Sequence, residues 1–264
     1  MSTIPPTRLI TIAIAIYLVW ISATYLLEGR IHLLQKPDPL GRLIYALIAN
    51  MIIGTAIAIW LLKPFILNRF VNPKQLGFQS PVNRVIVAIV IAGLIGFALF
   101  IIQKPASLNP LVLLNVFSQT LPGSIAEVVI CWALVGTAFE STFFKRKSKK
   151  VMSIILAAAV STILFGIYHF AHSPPFNQPN MVLFLMYPGA LTSIVYFVGR
   201  DIYAAIVFHN FQALFGVMNS IYIKPLLHPM YPVIMIAIVS IVILVLSDLL
   251  IVRKTKAYVD ATSD

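Results

Sequence analysis

Residues 10–27 read ITIAIAIYLVWISATYLL and end at the polar break Glu28-Gly29-Arg30. A helix needs ~20 predominantly apolar residues to cross the hydrocarbon core of a bilayer. This run is longer than the apolar region of a secretory signal, and no small-residue cleavage site precedes its end. It therefore reads as a retained transmembrane helix. Comparable runs recur to the end of the chain, and spans are expected at residues 8–27, 43–67, 84–103, 111–144, 152–172, 181–198, 202–219 and 231–252. The breaks fall at Lys36-Pro37-Asp38-Pro39, Asn72-Pro73-Lys74, Ser107-Leu108-Asn109-Pro110 and Ser173-Pro174-Pro175-Phe176-Asn177-Gln178-Pro179, which are turn formers.

Composition agrees along the whole length. Of 264 residues 60% are hydrophobic and 10% charged, with mean hydropathy +0.95, where a water-soluble domain carries roughly 25% charged residues. The expected fold class is an all-α integral membrane protein, a polytopic bundle of about eight transmembrane helices. Residues 1–264 form a single membrane domain: three spans in 1–105, a core in 110–220 and a last span at 231–252. No internal repeat or low-complexity tail stands out.

The formal charge is +11, but the basic residues flank apolar spans. The expected partners are membrane lipids with anionic headgroups, and no nucleic acid. With both termini on the inside, fourteen of the nineteen Lys and Arg fall on the inner face and five (Arg30, Lys36, Arg42, Lys104, Lys224) on the outer. Basic residues concentrate on cytoplasmic loops, so both termini are expected in the cytoplasm. The expected location is a bacterial inner membrane, with an internal membrane such as a thylakoid left open. Cys131 is the only cysteine, which excludes an intramolecular disulfide and any cysteine-based metal cluster.

The fourth span is too long for one straight crossing. Pro122-Gly123 interrupts it, and Asn115, Ser118 and Gln119 precede the break, as expected where a kinked helix lines a wet cavity. Most acids (Glu28, Asp38, Glu140, Asp201, Asp248, Asp260, Asp264) fall near span ends or in loops, where water is expected to solvate them. Glu127 does not. It lies midway between Pro110 and Lys145, where a charge costs ~2.5 kcal/mol or more. His169 closes Phe165-Gly166-Ile167-Tyr168-His169 late in the fifth span, and His209 lies mid-way along the seventh. One Glu and two His on three helices suit hydrolysis, with the carboxylate removing a proton from water and the imidazoles positioning it or stabilising an oxyanion. His172 would share the His169 face, but Pro174-Pro175 ends the helix there; His32 and His228 are loop residues.

At these residues the sequence resembles the CPBP family of intramembrane proteases, the CAAX-processing and bacteriocin-processing group also called Abi. Its motifs are Glu-Glu-x-x-x-Arg, Phe-x-x-x-His and His-x-x-x-Asn or Asp on separate helices. The second is present as Phe165 to His169. The third is approached through Gly199-Arg200-Asp201-Ile202-Tyr203 to His209, so the resemblance covers residues 110–220. Three positions depart: Val128 replaces the second Glu, Trp132 the Arg, and Ala213 the Asn. The resemblance implies Glu127 as general base, His169 as contact to water or metal, and His209 as oxyanion stabiliser.

Gln212, three residues after His209, shares its helix face and is the preferred stand-in for the Asn. Asn210 points about 100 degrees away and is the second candidate. Glu140, with Lys145 five residues on, offers a rival first motif, but a solvated ion pair with the basic loop Lys145–Lys150 explains it more simply. His169, His209 and Glu127 suit zinc with water in a fourth position; the same three suit metal-free chemistry with Glu127 as base, and both remain open. One depth estimate is uneasy: His169 lies ~27 Å along its helix from Val151, whereas His209 lies ~13 Å beyond Arg200.

The expected function is an intramembrane endopeptidase of the CAAX-protease type, a metalloprotease if zinc is used. It would hydrolyse a membrane-delivered protein or peptide substrate near its C-terminus or leader. The alternatives are a catalytically inactive family member serving as a membrane scaffold, and a small proton-coupled transporter built round Glu127.

Overall fold

The computed structural model describes residues 4–34, 39–78, 81–145, 149–218 and 227–262. Among these, the long elements are helices: α1 (Pro6–Arg30), α2 (Leu40–Leu67), α3 (Val82–Ile102), α4 (Pro110–Lys145), α5 (Lys150–Ala171), α6 (Pro179–Gly199), α7 (Ile202–Met218) and α8 (Tyr231–Ala261). Seven are long and apolar enough to cross a membrane, and α7 is a shorter apolar helix. The protein is an all-α, polytopic integral membrane protein.

Helix positions follow expectation to within a few residues, with one correction. The last helix does not stop at 252 but continues to Ala261. Hydropathy falls after Val252, yet Thr255 is buried and the extension packs on the end of α2, which holds it helical. The Lys36-Pro37-Asp38 break, Asn219, Arg146, Lys147 and Lys224 lie outside the described residues.

Burial decides the layout. The share of the most apolar window that is buried is 94% for α4 and 17% for α3. Helix α4 is therefore the axis, with α1, α2, α5, α7 and α8 packed on it, α6 against α5 and α7, and α3 on α7. The outer helices turn Val87, Val90, Leu94 and Leu183 outward, as expected where lipid tails are the solvent. Inside a membrane helices associate through close backbone approach. On α2, Gly54 faces Ala126, next to Glu127, so tightly that a methyl group there would overlap the alanine Cβ.

The break expected at Pro122 is a site in a continuous helix instead. Proline removes a backbone donor, and Asn210 on α7 braces the region: its Nδ2 donates to Phe117 O at 3.1 Å, and its Oδ1 accepts from Ser124 Oγ at 2.9 Å. Two of the polar residues before Pro122 are fasteners. Asn115 donates to His228 O at 2.8 Å and accepts from Met230 N at 3.1 Å, and Gln119 accepts from Arg42 at 3.1 Å.

The solvated acids also need correction. Glu28, Glu140, Asp201 and Asp248 are all buried, at 1–3% exposure. Each has partners: Glu28 accepts from Ser173 Oγ and, at 2.8 Å, from Leu34 N; Asp201 caps α7 through Ala204 N at 2.9 Å; Asp248 accepts from Tyr203 and Arg253. Positions that look terminal in sequence are enclosed by neighbouring helices and, at Glu28, by the Ser173 connector. Both ends of the described chain meet at one face, where Ile4 N donates to Asn68 Oδ1 at 2.8 Å beside the end of α8.

Candidate active site

Three helices bring the site together. Glu127 is the last residue of α4 before its bonding widens to π-type over Val128–Gly136, a departure frequent at functional sites. His209 faces it from the middle of α7, and Glu127 Oε2 lies 2.7 Å from His209 Nε2. On the other side of that ring, Nδ1 lies 2.9 Å from Thr192 Oγ1 on α6. The Thr192 hydroxyl has one proton, and it is aimed at Pro188 O, 2.9 Å away. His209 Nδ1 therefore carries hydrogen and donates to Thr192, because a hydroxyl already donating elsewhere can only accept here.

His169 sits where α5 tightens into the short 3₁₀ turn His169–Ala171. Its Nδ1 lies 2.8 Å from Phe165 O, and a carbonyl only accepts, so Nδ1 is the protonated nitrogen. Neutral His169 thus presents Nε2 as a lone pair. The Phe165 ring stands edge-on between the two imidazoles, its centroid 4.7 Å from His169 and 5.0 Å from His209. Trp132 closes one side, 5.3 Å from Phe165 and 5.5 Å from His209, with Nε1 donating to Ser193 Oγ at 2.7 Å. Glu127, His169 and His209 are 9%, 7% and 1% exposed, so the group is held away from bulk water.

The uneasy depth estimate resolves here. Arg200 is anchored beside Glu140, while Gly136 meets Ser161, so the start of α5 projects ~10 Å further along the axis than the start of α7. That offset brings the two histidines to within about 4 Å of one depth.

Comparison with known families fits this arrangement. Residues 126–215 match the family model described as Type II CAAX prenyl endopeptidase Rce1-like. That stretch is similar to the Rce1-like family. No curated protein and no solved structure matched. The Rce1-like domain begins one residue before Glu127 and ends three residues after Gln212, within the 110–220 core, and it contains Phe165, His169, Thr192 and His209. The resemblance to the CPBP family is met, and the match supports an intramembrane endopeptidase kind of function in an integral membrane protein.

Within the Rce1-like domain the two Asn stand-ins have different surroundings. Asn210 is fully buried and spent on α4. Gln212 is 8% exposed; its Oε1 accepts from Gln103 at 3.4 Å, and its Nε2 has no hydrogen-bond partner among the described residues. Among the described residues Glu140 pairs with Arg200 rather than with Lys145, Lys149 or Lys150. It meets Arg200 in a two-pronged contact of 2.6 and 2.7 Å and is 3% exposed, a cross-brace between α4 and the start of α7.

Two participants escaped the sequence reading. His172 follows the short turn and stacks on His169, with centroids 5.3 Å apart and planes at 22°; its Nε2 is buried with no hydrogen-bond partner among the described residues. Burial, then the neighbouring His169, pushes the His172 imidazole well below the usual histidine range. The i+3 spacing was the available signal. Thr192 had none, since only the helix packing carries it to His209.

The donor set does not fit zinc as arranged. Among the described residues no group of three His, Cys, Asp or Glu side chains is placed to hold a metal ion. His209 Nε2 is engaged by Glu127 directly, and both imidazoles pack against the Phe165 ring.

Proposed function

We propose that this protein is an intramembrane endopeptidase that hydrolyses a peptide bond of a membrane-delivered substrate with a water activated by Glu127, without a metal. The observation that carries the reading is the Glu127–His209–Thr192 chain inside the Rce1-like domain. The competent form has a proton on His209 Nε2, donating to a Glu127 carboxylate. That carboxylate takes a proton from water as the water attacks the scissile carbonyl. His169 Nε2 accepts the water's second hydrogen bond and fixes its position. Gln212 Nε2, a donor without a partner, offers its hydrogens to the oxyanion, where a preorganised donor is worth most in a low-dielectric site. His209 orients Glu127 in this scheme, a change from the oxyanion role the resemblance implies.

A second reading, an inactive family member acting as a scaffold, draws on Val128 and Trp132 standing where the family has its second Glu and Arg. Trp132 is committed to packing against Phe165 and His209. One experiment separates the two. Wild type and Glu127→Ala are expressed at matched levels, with Glu140→Ala as control, and the termini of membrane proteins are compared by mass spectrometry. New termini that vanish in Glu127→Ala support the peptidase; identical termini from three folded proteins support the scaffold. We also place both termini in the cytoplasm, on the excess of basic residues at the face they share, and the protein in a bacterial inner membrane.

A further inference from the structure

At the face where both chain ends meet, the connector after α2 and the extension of α8 enclose a cavity of about 460 Å³, lined by Ile66, Arg69, Asn72, Lys74, Lys256 and Asp260 among others. Among the described residues its lining holds three cations (Arg69, Lys74, Lys256) and one carboxylate (Asp260). Its depth is informative too. The apolar run of α2 ends at Leu67 and that of α8 at Val252, so the cavity lies where hydrocarbon gives way to headgroups. Ile66 and Val71 form an apolar, buried floor. Lys256 is half-buried, while Arg69 and Lys74 stand at the rim. The wall is shaped: Asn72 Oδ1 accepts from Lys74 N at 2.9 Å and Gln75 Oε1 from Asn72 N at 2.8 Å.

On α2, which contributes Ile66 to the cavity, Trp60 and Leu67 are 59% and 37% exposed. Seven residues apart, they share one face of α2. A ligand matching both parts has a phosphate for the cations and an acyl chain for that face. We propose that this cavity is a binding site for the phosphate headgroup of an anionic phospholipid. Basic pockets between membrane helices take such headgroups by charge attraction at close range. The site lies outside the Rce1-like domain and is independent of the proposed hydrolysis. It also gives a reason for a polar helix that continues past the end of its span.

The same phosphate chemistry is available from a soluble anion, and the test separates the sources. The full chain in neutral detergent is titrated with phosphatidylglycerol, phosphatidylcholine or inorganic phosphate, and bound lipid is counted by native mass spectrometry. One saturable phosphatidylglycerol is expected, with no phosphatidylcholine and no displacement by inorganic phosphate. Lys74→Gln and Lys256→Gln each weaken binding about fivefold. Asp260→Asn tightens it by a similar factor and keeps the test informative if a lysine variant unfolds. Lys149→Gln, outside the cavity, leaves binding unchanged. Unsaturable binding, or equal weakening in Lys149→Gln, overturns the site in favour of diffuse attraction. Displacement by inorganic phosphate overturns the lipid as ligand.

Discussion

Glu127 and His209 meet through a single 2.7 Å contact between Oε2 and Nε2, and Thr192 holds the far nitrogen of the same ring at 2.9 Å. Three helices, α4, α7 and α6, thus determine where one proton resides. Which nitrogen of an imidazole is protonated depends on the bond its other nitrogen makes, so Thr192 controls the state in which Glu127 faces a substrate.

Glu127→Gln keeps a hydrogen-bonding group against His209 but removes the base. Cleavage falls by roughly 10²–10⁴-fold, the range for a positioned general base, with unfolding temperature preserved. The assay is the appearance of new termini at matched protein levels, and wild-type cleavage in Glu127→Gln would remove the carboxylate from the mechanism.

Thr192→Val leaves His209 Nδ1–H buried without an acceptor, at about 1–3 kcal/mol. Cleavage drops roughly tenfold with its pH profile displaced, and Thr192→Ser restores both. A Val variant with lower stability but an unchanged pH profile would reduce Thr192 to packing.

Gln212→Leu and Asn210→Leu should diverge. Removing a single oxyanion donor costs about 10²–10³-fold in turnover, so Gln212→Leu loses activity with little loss of stability, forfeiting only the long Gln103 contact of 3.4 Å. Asn210→Leu instead lowers stability by about 1–3 kcal/mol, because the Phe117 and Ser124 contacts go. Thermal unfolding paired with a turnover assay distinguishes them.

Glu140→Gln leaves Arg200 beside a neutral partner in a largely enclosed pair, a change that costs roughly 3–5 kcal/mol. The double variant Glu140→Gln, Arg200→Gln is less destabilised than the sum of the singles. Urea or thermal unfolding reads both, and purely additive losses would remove the coupling.

His172 is held below its ordinary value of 6.5 chiefly by burial, so the folded state resists its protonation while the unfolded chain does not. Its stabilising contribution is complete above pH 6.5 and is lost as pH falls below it. Unfolding temperature measured downward from pH 7.5 should decline in wild type and decline less in His172→Phe. Parallel curves would assign the decline to other groups.

Membrane embedding, helix number and approximate bounds were legible because bilayer thickness imposes its length on any apolar run, whatever the neighbours. Glu127, His169 and His209 were legible for a related reason, since a polar group in such a run has to be justified by a partner. Partnership itself was not legible. Glu140 and Lys145 are close in sequence, yet Glu140 found Arg200 sixty residues away; Glu28 looks terminal and is closed over by the Ser173 connector, and Asp248 is held by Tyr203 of α7. The helical pattern says which face a residue occupies but not which helix meets it. Only tertiary packing set α5 further along the axis than α7, brought the two imidazoles together around Phe165, and turned Thr192 toward His209.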